Sequence, residues 1–88
     1  NFIIMNQENL SLSDFYSTPD LALATAISIW YPIDSIDRTN PAKAQFLFKR
    51  NSNLDQLIEN YWKRELRIEP QAYFSQLKII KSRLYGER

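Results

Sequence analysis

The main chemical signal in this sequence is a row of cationic and aromatic residues near its C-terminal end. Lys78, Lys81, Tyr85 and Arg88 follow one another at helical spacing, and Phe74 lies one turn earlier on the same stripe. Basic side chains can bind phosphates and aromatic rings can stack on bases, so the pattern indicates a nucleic-acid contact. The alternative is a solvated helix face, in which the cations complement the helix dipole and the rings flank the core.

Other basic residues could enlarge this surface. Arg83 lies elsewhere around the same predicted helix, and three further cations could join only if the fold brings their ends of the chain together. The candidate nucleic-acid-binding residues are therefore Lys78, Lys81, Arg83, Tyr85, Arg88, Lys63, Arg64 and Arg67.

Charge is divided unevenly along the chain, although the net charge is only +1. Residues 1–37 contain five acidic residues and no Lys or Arg, whereas residues 38–88 contain all eleven basic residues and five acidic ones. Such asymmetry indicates a surface that faces a polyanion. A helical C-terminal half covered by solvated Lys and Arg side chains would give the same distribution.

Composition excludes several classes of enzyme, because the chain has no Cys, no His and a single glycine. It therefore lacks a thiolate nucleophile, a histidine base and a glycine-rich phosphate loop. Asp34 and Asp37 fall on opposite faces of a regular strand and would not converge on one proton or metal ion. Ser82 and Lys78 could formally act as a nucleophile and its base. Pairs at this spacing are common on exposed helices, however, and mostly have no catalytic role. We predict a protein that is not an enzyme, with no catalytic residue, no metal site and no small-molecule cofactor.

Asp37, Arg38 and Asn40 belong to a predicted turn, Asp37-Arg38-Thr39-Asn40-Pro41. Polar groups that a hairpin presents on a loop often contact a ligand or partner, so these three are candidate contact residues. The same residue types also make turns through bonds from side chain to backbone, and this structural role is the alternative.

Aromatic residues make up 14% of the chain, more than so small a core can bury completely. The Trp and Tyr residues concerned are Trp30, Tyr31, Tyr61, Trp62, Tyr73 and Tyr85. If some of them form an exposed patch, they would mediate protein–protein contact, including a homodimer. The alternative is that they lie half-buried at the edge of the core with their polar tips in water.

Hydrophobic periodicity predicts three helices, over residues 18–31, 52–64 and 70–85. Thr18 is the expected cap of the first helix. The second helix begins at Ser52 with a sequence that resembles a capping box. The predicted buried lines are Leu23, Ala26, Ile27 and Trp30, then Leu54, Leu57, Ile58, Tyr61 and Trp62, and finally Tyr73, Leu77, Ile80 and Leu84.

Two short runs between the first two helices, residues 33–38 and 43–50, predict an antiparallel β-hairpin. Phe46 and Phe48 share one face of the second strand and must be covered by helices. Residues 65–69 alternate as an edge strand would, and the sequence leaves this third strand undecided. The predicted fold is a single α+β domain over residues 14–88, in the order α-β-β-α-(β)-α, with the hairpin packed against helices.

Residues 1–13 are predicted to form an irregular N-terminal arm. Asn1 is too bulky to follow an initiator Met that is removed. Either residues precede it, or Met5 is the natural start and residues 1–4 are artificial or follow an earlier start codon. This stretch lacks the basic residues of a signal peptide, and no apolar run approaches the roughly 20 residues that span a bilayer. We expect a cytoplasmic protein with no membrane contact.

Four segments share their order and residue types with a known family. They are Phe15-Tyr16-Ser17-Thr18-x-Asp20-Leu21-x-Leu23-Ala24, Ile36-Asp37-Arg38-Thr39-Asn40-Pro41, Phe46-x-Phe48 and Leu77-Lys78-x-x-Lys81-Ser82-x-Leu84-Tyr85. Over residues 14–85 the chain resembles a family of small bacterial and phage proteins catalogued as a domain of unknown function. The resemblance implies a bacterial, cyanobacterial or phage origin and a stand-alone intracellular domain, and it brings no catalytic residues. Trp30-Tyr31-Pro32 stands where the family usually ends its first helix with glycine.

These observations favour a non-catalytic accessory module that contacts DNA or RNA through its basic C-terminal helix. The alternative is a protein-interaction or adaptor module, or a homodimer, that uses exposed aromatic residues.

Overall fold

The structure of the protein is a computed structural model that describes residues 14–86. Its elements are β1 (Phe15–Thr18), α1 (Leu21–Ser28), β2 (Ser35–Asp37), β3 (Gln45–Lys49), α2 (Ser52–Trp62) and α3 (Pro70–Gly86). The α+β class is confirmed, and β2 and β3 form the predicted antiparallel hairpin. The predicted arm over residues 1–13 and the candidate residue Arg88 lie outside the described residues.

The sheet has three antiparallel strands in the order β1-β3-β2, so β3 lies in its centre. Tyr16 of β1 pairs with Phe48, while Thr18 of β1 and Ile36 of β2 flank Phe46. The third strand therefore precedes α1, a strand that the sequence analysis did not predict. Residues 65–69, where a third strand was left undecided, form no strand.

The hydrophobic core lies between one face of this sheet and the helices. Its buried members are Leu23, Ala24, Ile27, Phe46, Phe48, Leu54, Leu57 and Ile80. Phe46 and Phe48 are thus on the buried strand face, as predicted, and burying a side chain of this size contributes about 1.5–3 kcal/mol. Trp30 and Trp62 are 49% and 60% exposed, so their prediction as core residues is wrong. Both lie at or beyond the end of their helix, where the helical stripe no longer points into the core.

The cap of α1 is Asp20, and the prediction that Thr18 caps this helix is wrong. One carboxylate oxygen of Asp20 accepts hydrogen bonds from the backbone N–H groups of Ala22 and Leu23, over 3.0 and 3.2 Å. Thr18 belongs to β1, and its hydroxyl oxygen accepts from the Asp20 N–H over 3.1 Å. This bond ties the end of the strand directly to the start of the helix.

The other two helices are also capped by side chains. Asn51 caps α2 through its amide oxygen, which accepts from the Leu54 N–H over 2.8 Å, so Ser52 is the first helical residue. Glu69 caps α3, because its carboxylate accepts from the N–H groups of Gln71 and Ala72 over 3.1 and 2.8 Å. A side-chain cap of this kind typically stabilises a helix by about 1 kcal/mol.

The end of α2 is a tight turn with a left-handed residue. Arg64 has a φ of 64°. Its N–H donates to the Tyr61 carbonyl over 3.0 Å, and the Glu65 N–H donates to the Asn60 carbonyl over 2.9 Å. These two bonds form a Schellman motif, in which glycine usually occupies the left-handed position. An arginine there carries the steric cost that a Cβ atom has in this conformation.

Candidate nucleic-acid interface

Helix α3 carries the candidate interface because only one side of it is covered. It packs against α1, and Ile80 is its one fully buried residue. At 100° per residue, Phe74, Lys78, Lys81 and Tyr85 fall within about 60° of one another on the helix surface. We call these four residues the α3 stripe, and it extends about 16 Å along the helix axis.

The Lys78 ammonium group lies over the Phe74 ring, with its nitrogen 4.9 Å from the ring centroid. This cation–π contact holds a charge above an aromatic face that is itself 56% exposed. Neither Lys78 nor Lys81 forms an ion pair with another residue of the 14–86 segment. The two charges remain uncompensated by neighbouring carboxylates in that part of the chain.

A shallow hollow follows on the same side of α3. It has a volume of about 570 Å³ and is lined by Lys78, Lys81, Ser82, Tyr85 and Gly86. The Tyr85 ring, 58% exposed, forms part of its wall. No acidic residue occurs between Pro70 and Gly86, and Lys78 and Lys81 are the charged residues among those that line the hollow.

A groove adjoins the other end of the α3 stripe. It has a volume of about 570 Å³ and is lined by Ala26, Tyr61, Arg64, Leu66, Ile68, Pro70, Tyr73 and Phe74. We call it the α2–α3 groove. Phe74 belongs to both the groove and the stripe, so this ring joins Arg64 to Lys78 in one continuous surface. Arg64 is the one charged residue among the eight that line the groove.

The other candidate cations among the described residues, Lys63, Arg67 and Arg83, contribute less to this surface. Lys63 pairs with Glu59 one turn earlier on α2, over 3.3 Å. Arg67 is exposed on the segment between α2 and α3. Arg83 points to a different side of α3, where it lines a hollow with Trp30 and Ile79.

That second hollow is lined mainly by apolar residues and has a volume of about 410 Å³. Trp30 is 49% exposed and Ile79 is 53% exposed, so two large apolar side chains meet water beside each other. Of the six aromatic residues proposed for protein contact, Trp30, Trp62 and Tyr85 are exposed. Tyr31, Tyr61 and Tyr73 are half-buried, as the alternative interpretation expects.

The side chains of Asp37 and Asn40 accept hydrogen bonds from within the predicted turn and its next residue. One carboxylate oxygen of Asp37 accepts from the hydroxyl of Thr39 over 2.6 Å and from its N–H over 2.9 Å. These bonds, the one from the hydroxyl most of all, lower the pKa of Asp37. The Asn40 amide oxygen accepts from the Ala42 N–H over 2.9 Å. Both side chains thus build the turn, which is the structural alternative to a contact role.

Arg38 has a role that no local pattern indicates. Its guanidinium group donates hydrogen bonds to the carbonyl oxygens of Arg83 and Leu84 at the end of α3, over 3.0 and 3.2 Å. The hairpin therefore holds the helix that carries the candidate interface.

Three tyrosines surround Asp20. Burial raises the pKa values of Tyr16, Tyr61 and Tyr73, and the negative charge of Asp20 raises each of them further. The Tyr73 hydroxyl also donates to the Ala22 carbonyl over 3.4 Å. All three phenols therefore stay neutral at physiological pH. Tyr61 and Tyr73 line the α2–α3 groove. The sequence analysis did not find this groove because its walls come from separate elements.

Metal-ligand clusters and membrane-spanning helices are both absent from the part of the chain that is described. Residues 14–86 contain no cluster of three or more acidic side chains that could ligate a metal ion. No helix in this range combines the length and the apolar content that crossing a bilayer requires. Asp34 and Asp37 are both exposed, and Asp34 lies just outside β2.

These features define a small α+β domain with a three-stranded antiparallel sheet and an exposed face of cations and aromatic rings on its last helix. The profile of the family described as Domain of unknown function (DUF5659) matches residues 13–86, and the chain belongs to that family. No curated protein and no solved structure matches the chain. Family membership confirms the resemblance found in the sequence, whereas the bacterial or phage origin stays a prediction.

Proposed function

We propose that this domain is a non-catalytic accessory module of the cytoplasm that binds nucleic acid through the α3 stripe. The observation that carries the proposal is the geometry of Phe74 and Lys78. A cation lies 4.9 Å from the centroid of an exposed ring, and Lys81 and Tyr85 continue the same alternation of charge and ring. Phosphates and bases are bound by this combination of side chains in proteins that track a nucleic-acid backbone.

Local charge supports the same proposal. Between Pro70 and Gly86 the helix contains Lys78, Lys81 and Arg83 and no acidic residue, whereas α2 contains Asp55 and Glu59. An anion that approaches α3 therefore meets attraction without a nearby opposing carboxylate on that helix. Since the net charge of the chain is only +1, binding must depend on this local surface.

The test is fluorescence anisotropy of labelled DNA and RNA oligonucleotides at several salt concentrations. Binding should weaken steeply as salt rises, because neutralised phosphates release counterions. Lys78→Gln and Lys81→Gln should each reduce the slope of log affinity against log salt by about 0.7–0.9, the value of one lost phosphate contact.

Lys49→Gln is the matched control. Lys49 is an exposed lysine at the end of β3, so this variant removes the same charge from another face of the domain. It should leave the slope nearly unchanged. Absence of binding at low salt, or equal effects of the Lys49 and Lys78 variants, would contradict the proposal.

A second candidate function, protein contact or self-association, is favoured by the hollow at Trp30 and Ile79. Two neighbouring, half-exposed apolar side chains are typical of a contact patch. Light scattering over a concentration series tests it: a dimer that Trp30→Ala converts to a monomer would support this function. A monomer at every concentration, with no change in the variant, would count against self-association.

A further inference from the structure

We infer that the nucleic acid bound by this domain is single-stranded, with one unstacked base held in the α2–α3 groove. This inference rests on the proposed function and specifies its substrate class. Its basis is the juxtaposition of an aromatic groove, a single cation inside it and a second cation at its rim.

The groove has the size and lining that a base requires. Its volume of about 570 Å³ is within the range of pockets that hold small planar ligands. Tyr61, Tyr73 and Phe74 supply ring faces, and Leu66 and Ile68 supply apolar walls. Every base has a π-face that can stack on such rings, so the groove would accept different bases.

The charges fit the phosphates on either side of that base. Arg64 lines the groove, and Lys78 lies over the Phe74 ring that forms its rim. Because Lys78 occupies one face of the Phe74 ring, a base would stack on the opposite face, with its backbone near both cations. A neutral apolar ligand would leave both charges without a partner, whereas a nucleotide strand satisfies the rings and the charges together.

Arg64 occupies the left-handed position of the Schellman motif at the end of α2. Its φ of 64° places an arginine where glycine would be free of strain. The left-handed turn sets the Arg64 side chain at the groove.

A duplex cannot use this surface in the same way. Its bases are stacked and paired, so their faces are closed to Tyr61, Tyr73 and Phe74 unless a base is flipped out at an energetic cost. A duplex could reach only the cations, and α3 has three of them among its described residues. Affinity for single strands should therefore exceed affinity for duplexes.

The experiment compares three fluorescein-labelled probes of 12 positions, a length at the scale of known single-strand sites. They are an oligo-dT strand, a duplex, and an abasic strand that keeps the phosphates and lacks the bases. The full chain should bind the dT strand about 10-fold or more tightly than the other two, the effect expected from one stacked base. Phe74→Ala should weaken dT binding by a similar factor and weaken duplex binding much less.

Two further variants separate stacking from folding. Phe74→Tyr keeps a ring face and should retain the preference, while Phe74→Leu keeps apolar bulk and should lose it. Trp30→Ala removes another exposed ring, which lines the hollow at Ile79 and not the groove, and should leave the preference unchanged.

The outcomes distinguish the inference from the function on which it rests. Equal affinity for all three probes, or equal losses for dT and duplex in Phe74→Ala, would overturn the inference and leave nucleic-acid binding intact. No binding of any probe at low salt would overturn both.

Discussion

Arg38 is bonded to Leu84 across 46 positions of sequence. The guanidinium group at the end of the hairpin donates to the Leu84 carbonyl over 3.2 Å and to the neighbouring Arg83 carbonyl over 3.0 Å. The last carbonyl groups of a helix lack intrahelical partners and carry the negative end of its dipole. The Arg38 guanidinium group gives these carbonyl groups a hydrogen-bond donor and balances the negative end of the dipole. It also sets the position of the helix that bears the candidate interface.

Replacing Arg38 with alanine should therefore lower the free energy of unfolding by about 1.5–3 kcal/mol, the usual range for bonds to a charged group. Arg38→Lys should recover part of the loss, because an ammonium group keeps the charge without the planar pair of donors. Urea denaturation followed by circular dichroism measures both. Arg67→Ala, at an exposed position between α2 and α3, is the control and should have little effect.

The left-handed turn at Arg64 gives a prediction in which stability and binding change in opposite directions. Arg64→Gly should raise the free energy of unfolding by up to about 1 kcal/mol, because glycine adopts a φ of 64° without steric cost. The same variant should bind single-stranded DNA more weakly, since it lacks the cation of the α2–α3 groove.

Arg64→Ala is the matched control for this pair of effects. It loses the same cation but keeps the strained Cβ, so it should show the binding loss without the gain in stability. A glycine variant no more stable than the alanine variant in urea denaturation would refute the assignment of strain.

The sequence predicts best what depends on local periodicity. Leu23, Ile27, Phe46, Phe48 and Leu54 are buried as expected, because the apolar stripe of a helix and the alternation of a strand decide which side meets the core. The exact caps are less predictable. Both Thr18 and Asp20 have side chains that suit a helix start, and only the pairing of β1 with β3 assigns Thr18 to the strand.

Contacts between distant parts of the chain were beyond local prediction. β1 is defined by the pairing of Tyr16 with Phe48, and a four-residue strand leaves almost no periodic signal of its own. Residues 65–69 have the alternation of a strand, yet Leu66 and Ile68 line the α2–α3 groove instead. The α3 stripe follows from helical spacing alone, whereas the groove beside it requires the packing of α1, α2 and α3.

The effect of Asp20 on three phenols can be tested with one substitution. Asp20→Asn keeps an amide oxygen that can cap α1 but removes the negative charge. The pKa values of Tyr16, Tyr61 and Tyr73 should all fall, and those of Tyr61 and Tyr73 should stay above their ordinary value of 10.0, because burial is the larger cause of each shift. Tyrosine absorbance in an alkaline titration measures the change.

The same shifts make the fold sensitive to alkali. Each of these tyrosines has a higher pKa in the folded state than in the unfolded state. Its contribution to stability is therefore fully present below pH 10.0 and is lost as the pH rises beyond that value. Asp20→Asn should reduce this dependence, while Asp34→Asn, at an exposed site before β2, should not. Identical alkaline titrations for the wild type and Asp20→Asn would show that the Asp20 charge has no such effect.

The turn at Asp37 should respond to acid in the opposite sense. The Thr39 hydroxyl is the main cause that holds the pKa of Asp37 below its ordinary value of 3.8, and the Thr39 N–H adds to it. Thr39→Val removes only the hydroxyl, so the pKa of Asp37 should rise part of the way back, whereas Thr39→Ser should leave it low. The carboxyl carbon shift of Asp37 in an NMR titration measures this directly.

Because the folded pKa is lowered, the stability that Asp37 contributes is present above pH 3.8 and is lost as pH falls through the folded value. The stability difference between wild type and Thr39→Val should therefore shrink in acid, and a difference that stays constant to low pH would show that the hydroxyl acts on something other than the carboxylate.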